Sequence, residues 1–187
     1  MNWFERGPLV VERFLDLDEC LAIRKLAEAS PLAARSYQGL VDPQKRRTDF
    51  SKLDEQETVQ IESSAIAILE NFFGESVSSI ANQSALVYRY PPGVGFIPHH
   101  DEPTDIERAR SKSNSQPVIS GDVTSVIFLS GPDDYAGGEL FFVGPDIRLR
   151  PPIGTLVAFP ATKKWVHGVA PILSGERWTM IIRFQVG

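Results

Sequence analysis

A mainly β member of the α+β class, with two N-terminal helices laid on one face of a β-sandwich or barrel, is the fold the sequence predicts. Three observations predict it. Apolar residues recur at helical spacing only before residue 74, later ones come in short β-branched or aromatic runs from residue 84 onward, and Pro or Gly separates those runs. Several short strands at close spacing close into a sandwich or barrel, and an amphipathic helix needs a surface for its apolar stripe.

The first helix is expected within residues 16–30, DLDECLAIRKLAEAS. Asp16 or Asp18 can cap it, Cys20, Ile23 and Ala27 form its stripe, and Pro31 stops it. The second is expected over residues 54–73, where Ile61, Ala65, Ile68, Leu69 and Phe72 repeat at intervals of three and four before Gly74. Strands are expected in ALVYRY, TSVIFLS, ELFFV, GTLVAFP, VHGVAP and RWTMIIRFQV. The connection over residues 103–121 has no periodic pattern and reads as a lid or as a flexible surface loop.

A chain of 187 residues is expected to form a single domain, with a helical part over 1–83 and the β core over 84–187. With 42% hydrophobic and 23% charged residues it falls among ordinary globular proteins, which excludes disorder and fibrous repeats. Glu5, Arg6, Glu12 and Arg13 interrupt the N-terminal stretch, so neither a signal peptide nor a membrane span is expected there. Cys20 is the only cysteine, which excludes an internal disulfide and fits a reducing compartment, so a cytoplasmic location is expected. A net charge of −5 disfavours a general grip on nucleic acid, and the basic run Lys45, Arg46 and Arg47 reads as a solvated loop.

The chemistry concentrates in GFIPHHDEP, residues 95–103. In a strand, residues i and i+2 share a face, so either His99 with Asp101 or His100 with Glu102 can present an imidazole and a carboxylate to one point. Adding His167, the remaining histidine, makes two histidines and one carboxylate, the facial arrangement that holds non-haem Fe(II) with positions left open. Zinc is the main rival, but the H-E-x-x-H helix of its hydrolases is absent. A lone His-x-Asp is more often ordinary polar structure than a metal site. Arg177, ten positions after His167, raises its weight, because a dicarboxylate chelating iron at one end needs a fixed cation near the other.

Other motifs fail. Gly93 and Gly95 begin a G-x-G, but Pro98 stands where a dinucleotide fingerprint has its third glycine. Gly137 and Gly138 suit a turn, and no G-x-S-x-G elbow is present.

From Tyr90 to Phe184 the sequence resembles the prolyl 4-hydroxylase-like branch of the Fe(II)/2-oxoglutarate-dependent dioxygenases, through YPPGVGFIPHHDE, VTSVIFLS, YAGGELFF, PPIGTLVAFPA and HGVAPILSGERW in that order. The resemblance implies a double-stranded β-helix, or jelly-roll, with the metal at its open end. It implies that His99, Asp101 and His167 bind the iron and carry catalysis, that His100 points elsewhere, and that Arg177 pairs with the distal carboxylate of 2-oxoglutarate. Tyr90 and Thr179 are the further cosubstrate contacts it suggests. Some relatives have a tyrosine at the end of the third core strand; here Phe128 stands there, so that hydroxyl contact is lost. Trp165 is either a wall of the substrate mouth or a core residue.

The activity implied is hydroxylation of an unactivated C–H bond, of a prolyl or other amino-acid residue or of a small molecule, using dioxygen and releasing succinate and CO2. Ascorbate is an accessory cofactor in that picture. Asp101 disfavours the halogenating variants, which lack the carboxylate. Two alternatives are a nucleic-acid oxidative demethylase, suggested by the spacing of Arg177 and Arg183, and a cupin-like module that binds without turnover.

Overall fold

Asp16, one of the two N-cap candidates of the first helix, and Gly74, the expected end of the second, are caps that the chain uses. The computed structural model describes residues 7–30, 33–34, 48–80, 85–103 and 121–187. Helix α1 spans Leu17–Ala29 and helix α2 spans Glu55–Phe73. At the start of α1, the Glu19 N–H donates to Asp16 Oδ1 and the Asp16 N–H donates to Glu19 Oε2, both at 2.8 Å. The Asp54 N–H donates to Glu57 Oε2 at 2.8 Å at the equivalent place in α2, and Gly74, at φ 72°, ends that helix in the left-handed region.

The strands among the described residues are β1 (Leu9–Val11), β2 (Ala33–Ala34), β3 (Asp49–Lys52), β4 (Val77–Ser79), β5 (Leu86–Tyr90), β6 (Phe96–His99), β7 (Val123–Phe128), β8 (Tyr135–Gly137), β9 (Leu140–Phe142), β10 (Ile147–Leu149), β11 (Leu156–Pro160), β12 (His167–Val169), β13 (Ile172–Gly175) and β14 (Arg177–Val186). The larger sheet runs β1-β11-β7-β14-β5-β3-β2, with β4 pairing the far end of β14. The smaller sheet runs β10-β9-β12-β6, and β13 with β8 forms a two-stranded ribbon. This is the expected double-stranded β-helix with helices packed on one sheet.

Strand alternation sorts the side chains between two interiors. Trp178, Met180, Ile182 and Phe184 of β14 join Val87 and Ile127 in one core with Cys20, Ile23 and Ala27 of α1 and Ala65 and Leu69 of α2. Each fully buried Leu or Ile in that layer contributes on the order of 2 kcal/mol. The opposite face of β14 carries Arg177, Thr179, Ile181 and Arg183 and looks into the space between the sheets. There Tyr88 and Tyr90 cluster with Phe96 and Tyr135, while Val126 and Phe128 cluster with Phe142, Phe159 and Trp165.

The N-terminal part is less purely helical than expected. Leu9 pairs with Ala158 and Phe50 with Tyr88, so β1 and β3 extend the larger sheet. Three or four residues are too few to display a period, and the free sheet edge supplies the pairing. Strand β6 was also outside the expected segments, because Pro98 cannot donate to a ladder; β6 lies at the edge of its sheet, where a proline is tolerated. The basic run at 45–47 and residues 104–120 of the expected lid lie outside the described residues. Among the described residues, no helix is long and apolar enough to cross a membrane.

Candidate metal centre

His99 closes β6 and His167 opens β12, and the two are direct cross-strand partners. Their ring centroids lie 4.4 Å apart. Gly168 makes this approach possible: a Cβ there would meet Phe96 O at 2.7 Å and Phe141 Cζ at 2.6 Å. The paired strands shift register beside the histidines, which re-aims side chains at the end of the sheet.

Each imidazole is oriented by a carbonyl two residues back, His99 Nδ1 at 3.0 Å from Ile97 O and His167 Nδ1 at 2.9 Å from Trp165 O. A carbonyl only accepts, so both rings carry a proton on Nδ1 and turn Nε2 inward. Those Nε2 atoms face one carboxylate: His99 Nε2 is 3.8 Å from Asp101 Oδ1, and His167 Nε2 is 3.7 Å from Asp101 Oδ2. One donor atom from each of the three lies within 4.8 Å of the others. Two imidazoles and one carboxylate, oriented from behind, fit a divalent transition metal and leave coordination positions for other ligands.

Asp101 is itself held. Arg183 Nη2 donates to its Oδ1 at 2.7 Å and Thr124 Oγ1 donates to its Oδ2 at 2.7 Å. Burial acts to raise the Asp101 carboxyl, but Arg183, the two histidines and Thr124 together outweigh it and hold the group well below the usual carboxylate range. For His167 burial dominates and lowers its affinity for a proton, against the pull of Asp101. A deprotonated carboxylate and a neutral imidazole are the forms that ligate metals.

The other pair separates. His100 Nδ1 lies 3.0 Å from Glu102 O, away from the cluster, while Glu102 Oε2 accepts from the Lys163 N–H at 3.2 Å. Trp165 is a core residue: its ring meets Phe142 edge-on at 5.4 Å, and its carbonyl orients His167.

Arg177 lies in the same inter-sheet space and is 1% exposed. Its guanidinium sits 5.1 Å from the Tyr90 ring centroid and 4.9 Å from that of Phe128. It makes no ion pair with any described residue, and its Nε has no hydrogen-bond partner. Phe128 therefore does more than lose a hydroxyl: its ring forms one aromatic wall of the guanidinium site. The hydroxyls of Thr179 and Tyr135 are also buried without a partner. The Tyr90 ring stands beside Arg177, and Thr179 lies two positions along β14 from it; the placing of Arg183, Thr124 and Tyr135 was not anticipated. Period-2 alternation along β14 carried the signal for Arg183, since it shares a face with Arg177; the contacts of Thr124 and Tyr135 depend on tertiary pairing.

Residues 85–185 match the family model described as the 2OG-Fe(II) oxygenase superfamily. Similar relatives include a PKHD-type hydroxylase of Beijerinckia indica, 35% identical over 94 residues that cover 49% of this chain and 38% of that protein. Another, from Xanthomonas euvesicatoria, is 33% identical over 138 residues, 69% of this chain and 57% of that protein. In both, the matched region spans less than two thirds of the relative's length.

Two solved structures share the fold. The viral collagen prolyl hydroxylase of Paramecium bursaria chlorella virus-1, in complex with 2OG, aligns with TM-score 0.72 at 19% identity over 96% of both chains. A Trichoplax adhaerens prolyl hydroxylase, in complex with a hypoxia-inducible factor peptide fragment, aligns with TM-score 0.74 at 19% identity over 98% of this chain and 85% of that one. The family match takes in the strands that carry the histidines, the carboxylate and the buried arginine, and it covers more than half of the sequence: the chain belongs to the 2OG-Fe(II) oxygenase superfamily.

Proposed function

We propose that this chain is an Fe(II)- and 2-oxoglutarate-dependent dioxygenase that hydroxylates an unactivated C–H bond, releasing succinate and CO2. The observation that carries the reading is Arg177, a buried guanidinium without an ion partner among the described residues. An unpaired buried charge costs several kcal/mol, so the site is built for an anion that arrives from outside.

In this reading His99, Asp101 and His167 hold the iron, and Arg183 and Thr124 keep the Asp101 carboxylate deprotonated and aimed. With Fe(II) and 2-oxoglutarate bound, the chemistry supplied is oxidative decarboxylation of the 2-oxo acid by dioxygen, coupled to C–H oxidation. Arg177 pairs with the distal carboxylate, Thr179 adds a hydroxyl, and the Tyr90 and Phe128 rings exclude water from that ion pair. The substrate class we favour is a peptidyl residue, prolyl or another; the relatives are named hydroxylases, and one neighbour structure holds a peptide. The negative total charge speaks against a nucleic-acid substrate. The lone buried cysteine fits a cytoplasmic setting.

The test is anaerobic addition of Fe(II) and 2-oxoglutarate to the wild type, His99→Ala and His100→Ala. The expected result is a visible metal-to-cosubstrate charge-transfer band in the wild type and His100→Ala and none in His99→Ala, with iron-dependent succinate release on admitting oxygen. Iron binding without the band would remove 2-oxoglutarate from the reading and leave a cupin-like binding module.

A further inference from the structure

Tyr135 begins β8, where it pairs with Gly175, two positions before Arg177. It is 4% exposed, and its hydroxyl is buried without a hydrogen-bond partner. Burial raises the phenol above its ordinary range, and Arg177 is the largest influence opposing that rise. The guanidinium lies close enough to act on the phenol: it sits 5.1 Å from the Tyr90 ring centroid, and Tyr90 packs in one cluster with Tyr135. The Tyr135 hydroxyl and the Arg177 Nε–H are both buried without an acceptor. The Thr179 hydroxyl, two positions along β14 from Arg177, is a third buried group without a partner, and no described side chain forms an ion pair with Arg177. A carboxylate, with about four lone-pair sites, satisfies such a set.

The ring is held in place. A Cβ on Gly138 would press on Tyr135 Cε2 at 3.0 Å, and one on Gly175 would meet its Cα at 2.9 Å, so these glycines let the neighbouring backbone close around the tyrosine. The Arg150 guanidinium lies 6.0 Å from the ring centroid. A fixed ring places its hydroxyl without further loss of side-chain freedom on binding.

We propose that Tyr135 is a second anchor of the cosubstrate: its hydroxyl donates to the same distal carboxylate that pairs with Arg177. The inference rests on the dioxygenase reading above and deepens it. Tyr135, from a different strand, supplies the hydroxyl that Phe128 lacks.

The test is binding, independent of turnover. Affinities of the Mn(II)-loaded protein for 2-oxoglutarate and for 2-oxobutyrate, which lacks the distal carboxylate, are measured by calorimetry for the wild type and Tyr135→Phe. A lost hydrogen bond to a charged group corresponds to roughly tenfold or more in affinity. Tyr135→Phe is expected to weaken 2-oxoglutarate by that factor, to leave 2-oxobutyrate unchanged, and to melt within a few degrees of the wild type. An unchanged affinity for 2-oxoglutarate, or an equal loss for both acids, overturns the anchor while leaving the dioxygenase reading intact. A wild type that binds 2-oxoglutarate no more tightly than 2-oxobutyrate overturns the reading of Arg177 and the anchor with it.

Discussion

Arg183, near the end of β14, donates from Nη2 to Asp101 Oδ1 at 2.7 Å, joining residues 82 positions apart in sequence. The Arg183 side chain is 17% exposed and that of Asp101 7%, so the pair is largely shielded from water. Removing one partner of such a pair leaves a charge with too few donors. In the metal-free protein, Arg183→Met is expected to cost about 2 kcal/mol, and Thr124→Val about 1 kcal/mol. The pH dependence has a defined sign. A carboxyl whose folded pKa is depressed contributes stability above its unfolded value of about 4, and loses it as pH falls below that value. Arg183→Met reduces the depression, so its stability should fall less steeply with acid. Urea denaturation in the presence of chelator, at pH 7 and across the acid range, measures both effects; a change below about 0.5 kcal/mol for Arg183→Met would show that the pair is not stabilising.

Gly168 permits the close pairing that brings the two histidines together. A methyl group at this position would overlap Phe96 O and Phe141, so β12 and β6 must move apart. Overpacking of this kind costs about 1–3 kcal/mol. For a chain of this size Gly168→Ala should melt roughly 5 °C lower and hold metal more weakly. Gly144→Ala, whose Cβ would sit 3.6 Å from Lys164 O, is the matched control and should melt as the wild type does. Equal behaviour of the two variants would contradict the role given to Gly168.

What the sequence made legible was local or periodic. Asp16 or Asp18 marked the start of α1, Gly74 ended α2, and alternation along β14 sent Trp178 and Met180 to the helices and Arg177 and Thr179 to the inter-sheet space. Spacing of two left His99 with Asp101 and His100 with Glu102 as equal candidates, and the family resemblance chose the first pair; Asp101 lies in a bend just past the end of β6. Contacts chosen by tertiary pairing were not legible. Nothing near Asp101 in the chain points to Arg183 or Thr124, and the three residues of β8 are too few to show which way Tyr135 faces. Strands β1 and β3 share that limit, since a sheet edge rather than their own pattern recruits them.

Cys20 is fully buried on the sheet-facing side of α1, and burial, with Glu19 and Asp16 nearby, pushes its thiol up to about 11. The thiolate is the reactive form, so a thiol pushed up to about 11 has a thiolate population near neutral pH roughly 100-fold below that of an ordinary thiol, before access is considered. A maleimide or iodoacetamide probe at pH 7.5 should label the folded protein negligibly and stoichiometrically in denaturant. Rapid labelling of the native chain would mean that α1 opens from the sheet far more readily than its packing implies.

Metal binding provides the most direct check of the ligand set. Asp101 has Arg183 and Thr124 as partners, so the fold does not need an ion to satisfy the carboxylate. The two imidazoles, by contrast, point Nε2 toward the shared centre, and an ion there adds bonds that the unfolded chain cannot reproduce. At a metal concentration about 100 times the dissociation constant, Mn(II) should stabilise the chain by about 2.7 kcal/mol and raise its melting temperature by roughly 5–10 °C, with chelator reversing the shift. His99→Ala, Asp101→Asn and His167→Ala should each lose the shift, whereas His100→Ala should keep it, because His100 is turned to the Glu102 carbonyl. Loss of the shift in His100→Ala with retention in His99→Ala would assign the ligand role to the other His-x-carboxylate pair.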